Sequence, residues 1–182
     1  MRLAAELRLP LVTVIDTAGA ELSREAEERG LAAEIARCLA DLITLQSPTL
    51  AVLMGQGAGG AALALLPADR VIAAENSWLS ALSPEGASVL RYRTSTRAAD
   101  IAESMDISAQ ALLRDGIADE VILEDADAAA RPAPFLRSLG AAIEAGLRSL
   151  LARKRPNGTH SGLADTRRWV AQAGRAPPAA TA

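Results

Sequence analysis

Three glycines in Gly55-x-Gly57-x-x-Gly60 are the residues best placed to do chemistry, because of what they leave bare. A residue without a Cβ lets a peptide N–H approach a ligand oxygen closely. Several such groups at the start of a helix form a cradle for an oxyanion or a phosphate. Here the glycines follow the apolar run Thr49–Met54 and open a short Ala/Leu helix over 61–66. Small residues at that place also let a helix pack closely on a sheet, and the residues alone support both readings. With Glu75 twenty positions after Gly55, the spacing imitates a dinucleotide fingerprint. The context argues against it. Pro67 ends the helix before it can cross a sheet, and a strand and a long helix already precede the glycines. No Lys-Ser or Lys-Thr pair follows them, so they are not a phosphate loop.

The side-chain inventory is thin. The single histidine, His160, lies in a polar tail beside Asn157-Gly158, where it reads as solvated, and no serine stands ready to form a triad with it. Cys38 falls on an apolar helical stripe and reads as a small core residue. Asp16 ends a strand and could act as acid or base, although such residues more often cap a turn. Glu27-Glu28-Arg29 reads as a solvated helix face, and Glu85 as an acid near a helix start. Arg91, Arg93 and Arg97 form a basic cluster that suits either solvent or an anionic ligand. If the chain is an enzyme, it should work through backbone dipoles.

The elements that would position these groups alternate. Pro10–Ile15 is a continuous β-branched run that reads as a strand buried on both faces. Residues 23–46 read as one helix, with Ser23 as N-cap and Leu31, Ile35, Cys38, Leu39, Leu42 and Leu45 at helical spacing. Strands follow over 49–54, 70–74 and 78–82, with helices over 97–103 and 108–115, a last strand over 120–123 and an amphipathic helix over 135–153. This alternation predicts an α/β fold with parallel pairing.

Composition sets the outer limits. Of 182 residues half are apolar but only 2% aromatic, so the core is aliphatic and no aromatic platform for nucleic acid exists. Nineteen basic against 22 acidic residues give a net charge of −3, which attracts neither DNA nor an anionic membrane. The lone cysteine excludes an internal disulfide and a cysteine-based zinc cluster, and no metal site is expected. No apolar run is long enough to span a bilayer, and the N-terminus lacks a signal-peptide block, so a cytoplasmic location is expected.

Several segments together resemble the carboxyltransferase component of acetyl-CoA and other acyl-CoA carboxylases, in its α-subunit or C-terminal half. Leu9–Ala20 resembles a family strand ending in IDTPGA, and Ala26-Glu27-Glu28-Arg29-Gly30 resembles AEERG. Gly55-Gln56-Gly57-Ala58-Gly59-Gly60-Ala61 resembles GEGGSGG, and Ser83-Pro84-Glu85-Gly86 matches SPEG. Segments at 97–99, 102–105 and 113–119 resemble the family's closing helices, so the likeness runs over roughly residues 1–150. It departs where Ala18 replaces proline and where Glu21-Leu22-Ser23 replaces Tyr-Pro-Gly.

The resemblance implies an α/β crotonase/ClpP-like spiral of ββα units over 1–153, lacking the N-terminal part of the core, with a poorly ordered tail over 154–182. It implies transfer of a carboxyl group from carboxybiotin on a carrier protein to an acyl-CoA, giving malonyl-CoA or a homologue. Both the released biotin ureido oxygen and a thioester enolate would be held by peptide N–H groups. By this likeness Gly59, Gly60 and Ala61 form the biotin-side oxyanion hole. Asp16, Thr17, Gly19, Gly57, Ala58, Ser83, Glu85 and Gly86 line the site. Biotin and a CoA thioester are the implied cofactor and substrate. The implied partners are a β-type subunit or N-terminal half, which supplies the second hole, and the biotin carboxyl carrier protein. The assembly implied is a hetero-oligomer with no nucleic acid, membrane or metal. Two alternatives stand beside this one: a degenerate, non-catalytic assembly subunit of the same fold, and another crotonase-type CoA enzyme. Ala61 and Ala62 stand where a protease would need its serine.

Overall fold

The computed structural model describes residues 1–21, 23–124 and 128–152. Along the chain it places α1 (Arg2–Leu7), β1 (Leu11–Thr17), α2 (Arg24–Glu28), α3 (Leu31–Ile43), β2 (Thr49–Ala58) and α4 (Gly59–Leu65). Then come β3 (Arg70–Ala74), β4 (Trp78–Ser80), α5 (Pro84–Tyr92), α6 (Ala98–Met105), α7 (Ala109–Arg114), β5 (Glu120–Ile122) and α8 (Pro132–Ala152). The five strands form one sheet in the order β1-β2-β3-β5, with β4 beside the C-terminal part of β2, and every pair is parallel. The predicted α/β architecture is what forms. The expected tail over 154–182, with His160, lies outside the described residues.

Alternation along β2 explains its unbroken apolar run. Leu50 and Val52 turn to one face, where Ile72 and Ile122 join them under Leu139, Ala142 and Leu150 of α8. Ala51 and Leu53 turn to the other, against Ile15, Ala62 and Leu66, with Val71, Ala73 and Leu112 beside them. The small side of Gly146 lets α8 settle on the sheet, since a Cβ there would come within 2.8 Å of Leu50 Cδ1. These buried aliphatics, each contributing about 1.5–3 kcal/mol, carry the fold. Exposed ion pairs such as Arg24–Glu28 add about 0–1 kcal/mol.

Four expectations need correction. β1 is buried on one face only, with Val14 61% exposed, because α8 packs across β2, β3 and β5 and β1 lies at the end of the sheet. The helix expected over 23–46 is two helices. Ser23 caps α2 by accepting the Ala26 N–H, and Gly30 at φ +80° breaks the chain before α3. The glycine run is not a loop after a strand: β2 continues to Ala58 because β4 pairs with Gln56, Gly57 and Ala58. Finally α5 is a full nine-residue helix, where only a helix start near Glu85 was expected.

Candidate functional site

The site lies at the C-terminal end of β2, with β1 on one edge and β4 on the other. Pairing of β1 with β2 is regular from Leu11↔Thr49 to Ile15↔Leu53, and then jumps to Thr17↔Gly57. Met54, Gly55 and Gln56 therefore stand opposite the single residue Asp16, which makes a bulge in β2. Asp16 Oδ1 accepts the Gln56 N–H at 3.0 Å and fills the space above Gly55, where a Cβ would meet that oxygen at 2.6 Å. Gly57 is equally tight on the far side: a Cβ there would stand 2.8 Å from the Trp78 carbonyl oxygen and 2.9 Å from Leu53 and Leu79 methyl carbons. These two glycines serve close packing.

Gly59 and Gly60 differ. Gly59 has φ +69°, a conformation natural to glycine, and turns the chain out of β2 into α4. No side chain caps α4, and Gly60 is exposed. The first N–H groups of a helix have no partner within it, so those of Gly59, Gly60 and Ala61 open the helix with no side-chain cap among the described residues. Around this turn Thr17 Oγ1 accepts the Gly19 N–H at 3.2 Å, folding the loop after β1 back on itself. Gly19, at φ +124°, faces Ala58, and a Cβ on Gly59 would lie 4.0 Å from both Gly19 Cα and the Ala81 carbonyl oxygen. Thus Asp16, Thr17, Gly19, Gly57, Ala58, Gly59, Gly60 and Ala61 come together at one point.

The Ser83–Gly86 segment is the head of α5. Ser83 Oγ caps it by accepting the Gly86 N–H at 3.1 Å, and Pro84 occupies the first turn. Glu85 lines a cleft of about 750 Å³ together with Gln56, Trp78, Ala98, Ala102 and Ile107. That cleft adjoins the glycine turn through Gln56 but is not walled by Gly59, Gly60 or Ala61. Gln56 and Trp78 are positions that sequence reasoning did not single out, and Gly55, read as part of the cradle, serves packing instead.

Other side chains are accounted for locally. Glu75 Oε2 accepts the Glu124 N–H at 2.8 Å while Glu124 Oε1 accepts the Asn76 N–H at 3.1 Å, so the two acids clasp β3 to β5. Burial, and next the charge of Asp41, push the Cys38 thiol above its ordinary range, and its Sγ lies 3.8 Å from the Ala64 carbonyl oxygen. A thiol held protonated in this way is a poor nucleophile. Arg91 and Arg97 lie over the Tyr92 ring, at 5.3 and 4.3 Å from its centre, and Arg97 also pairs with Asp100. Among the described residues no group of three or more His, Cys, Asp or Glu could hold a metal ion, and no helix is long and apolar enough to cross a membrane.

Residues 1–161 match the sequence model of the acetyl co-enzyme A carboxylase carboxyltransferase-like family. The chain belongs to that family. It is 52% identical over 150 residues to a probable biotin-dependent acyl-coenzyme A carboxylase beta3 subunit of Mycobacterium tuberculosis, covering 82% of this chain and 30% of that protein. It is 43% identical over 151 residues to an acetyl-coenzyme A carboxylase carboxyl transferase subunit alpha of a Methylobacterium species, covering 82% of this chain and 48% of that one. The chain thus spans from about a third to half the length of these curated relatives. Solved structures give the fold. A Pseudomonas malonate decarboxylase hetero-tetramer superposes with TM-score 0.68 at 18% identity, over 96% of this chain and 73% of that one. A transcarboxylase 12S hexamer gives 0.67 at 21%, over 86% and 29%. The fold is that of the crotonase-type carboxyltransferases.

Proposed function

We propose that residues 1–153 form a carboxyltransferase C-terminal-type domain. With a β-type subunit or N-terminal half, in a cytoplasmic hetero-oligomer, it moves a carboxyl group from a biotin carboxyl carrier protein to acetyl-CoA or another acyl-CoA. The observation that carries this reading is the turn Ala58–Ala61, whose uncapped peptide N–H groups open α4 beside an exposed glycine. The names and identities of the curated relatives support the same reading. Biotin on its carrier supplies the carboxyl group and a ureido oxygen that gains negative charge as the group leaves. A small oxygen acceptor fits here, because no side chain of Gly59 or Gly60 stands in front of the donors. The N–H groups of Gly59, Gly60 and Ala61 hold such an oxygen from fixed positions, so they need no reorganisation as its charge grows. One such preorganised donor contributes about 3 kcal/mol to the transition state. Asp16, Thr17, Gly19, Gly57 and Ala58 set the turn, Glu85 lines the approach through the cleft, and Ser83 and Gly86 fix Glu85 there by capping α5. The acyl-CoA is bound largely by the partner.

The test removes one donor and keeps the helix. Gly60→Pro deletes a peptide N–H in the first turn of α4, where proline is tolerated because no intrahelical bond depends on that group. Gly60→Ala keeps the donor and brings a Cβ to 3.4 Å from Ile35 Cγ2, a contact that a small shift absorbs. In the complex assembled with its carrier and partner, Gly60→Pro is expected to lower kcat for carboxyl transfer about a hundredfold, and Gly60→Ala by less than tenfold. Subunit assembly, followed by size-exclusion chromatography, should be the same for both. A wild-type complex without carboxyl transfer, or a Gly60→Pro complex as active as Gly60→Ala, overturns the proposal; the first outcome leaves a non-catalytic assembly role.

A further inference from the structure

We propose that Asp16 is a positioning residue: its carboxylate, bonded to the Gln56 peptide N–H and lying over Gly55, fixes the β2 bulge that aims the Gly57–Ala61 turn. The inference rests on the carboxyltransferase reading for its consequence in catalysis, and on geometry alone for its mechanism.

A bulge of this kind is a source of error. Three residues of β2 stand opposite Asp16, so the ladder that holds Leu50–Leu53 in register is interrupted between Leu53 and Gly57. Pairing with β4 resumes only at Gln56↔Trp78. Between those points the ladder does not set the path of Met54 and Gly55, so how the chain enters Gln56–Ala58, and with it the turn at Gly59, depends on what holds the bulge. The side-chain cross-link from β1 at this level runs from the Gln56 N–H to Asp16 Oδ1, 3.0 Å. Gly55 completes the fit from below, since its missing Cβ leaves the room that Oδ1 occupies, 2.6 Å from where that carbon would be. The two residues form a lock: an acceptor that reaches across, and a bare Cα that admits it. Gln56 transmits the effect to the turn, being one residue from Gly57 and three from Gly59. A group that acts this way touches no reacting atom. Its loss displaces donors by a fraction of an ångström, which catalysis registers strongly, and affects kcat while leaving KM in place.

Four variants of the assembled complex test it: Asp16→Ala, Asp16→Asn, Gly55→Ala and the double Asp16→Ala/Gly55→Ala. Asp16→Ala is expected to lower kcat about tenfold with KM changed less than twofold, and to speed hydrogen exchange of the Gln56 amide. Asp16→Asn keeps the Oδ1 acceptor and should recover most of both. Gly55→Ala forces its Cβ against Asp16 and should cost kcat in the wild-type background, but add less than twofold in the Asp16→Ala background, where the obstruction is gone. Equal kcat for Asp16→Ala and wild type overturns the inference. So does an Asp16→Asn variant as impaired as Asp16→Ala, which would mean that charge and not the hydrogen bond matters. Additive effects of Gly55→Ala and Asp16→Ala overturn it as well. If the wild-type complex transfers no carboxyl group, the functional reading alone has failed. Exchange at Gln56, and the same double-variant comparison scored by thermal midpoint, then still decide whether the lock exists.

Discussion

The two ends of β2 are held by aspartates from neighbouring segments, yet they are built differently. At the N-terminal end Asp69 Oδ2 accepts both the Thr49 N–H, at 2.8 Å, and the Thr49 hydroxyl, at 3.1 Å, while the Asp69 N–H donates to that hydroxyl at 2.8 Å. Thr49 is buried, and the two residues bond each other three times. At the C-terminal end Asp16 is exposed, accepts the Gln56 N–H, and has glycines at positions 55 and 57 beside it. The first clamp ties side chain and backbone together by three hydrogen bonds. The second holds the backbone with one acceptor and keeps side chains away from the turn that follows. Access and rigidity compete for the same residues, and β2 resolves the competition by placing rigidity at one end and access at the other.

The sharpest challenge to this contrast is Gly57, where the open end is as tightly packed as any core. Gly57→Ala drives a methyl against the Trp78 carbonyl oxygen. A main-chain atom cannot yield without breaking the β2–β4 pairing. Overpacking of this kind costs about 3 kcal/mol, and the thermal midpoint should fall by roughly 6–12 °C for a domain of this size. A fall under 2 °C would show that β4 is loosely held and that the open end is open throughout. Next in size is Asp69→Ala, which strands the buried Thr49 N–H and hydroxyl without their acceptor. It should cost about 2 kcal/mol and leave kcat of the surviving folded complex within twofold of wild type. A loss of kcat comparable to that of Asp16→Ala would mean that the two ends are coupled through β2, and the division of labour would not hold.

Much of this arrangement was legible in the residues because its causes are local. The strand Arg70–Ala74, the cap at Ser23 and the helix stop before Pro67 each follow from neighbours in sequence, and each forms as read. The glycine run was placed at the right junction but given the wrong conformation. Gly55–Ala58 has no periodicity to reveal a strand, and its partner β4 lies more than twenty residues on. The half-exposed face of β1 was hidden for a similar reason: Val12 and Val14 look like core until α8 is seen to cover the other strands. The bond from Asp16 to Gln56 spans forty residues, and no spacing rule reaches that far. The glycine spacing pointed to the candidate site, whereas non-local pairing determined its shape.

The smallest expected effect is the most discriminating one. Thr49→Val keeps the peptide N–H that Asp69 accepts and removes only the hydroxyl, leaving the Asp69 N–H without its partner. Asp69 is half-buried, so water reaches part of what is lost, and valine suits a strand interior. The cost should be about 1 kcal/mol, near half that of Asp69→Ala. A ratio close to one half means that the N–H and the hydroxyl share the clamp, and that an aspartate holding a strand by one peptide N–H still contributes substantially. That is the condition under which the single bond from Asp16 suffices at the other end. If Thr49→Val costs as much as Asp69→Ala, the hydroxyl holds the clamp and the peptide bond adds little. An exposed aspartate with only a peptide N–H to grip would then be too weak to fix the bulge, and the contrast between the two ends would become one between a held end and a loose one.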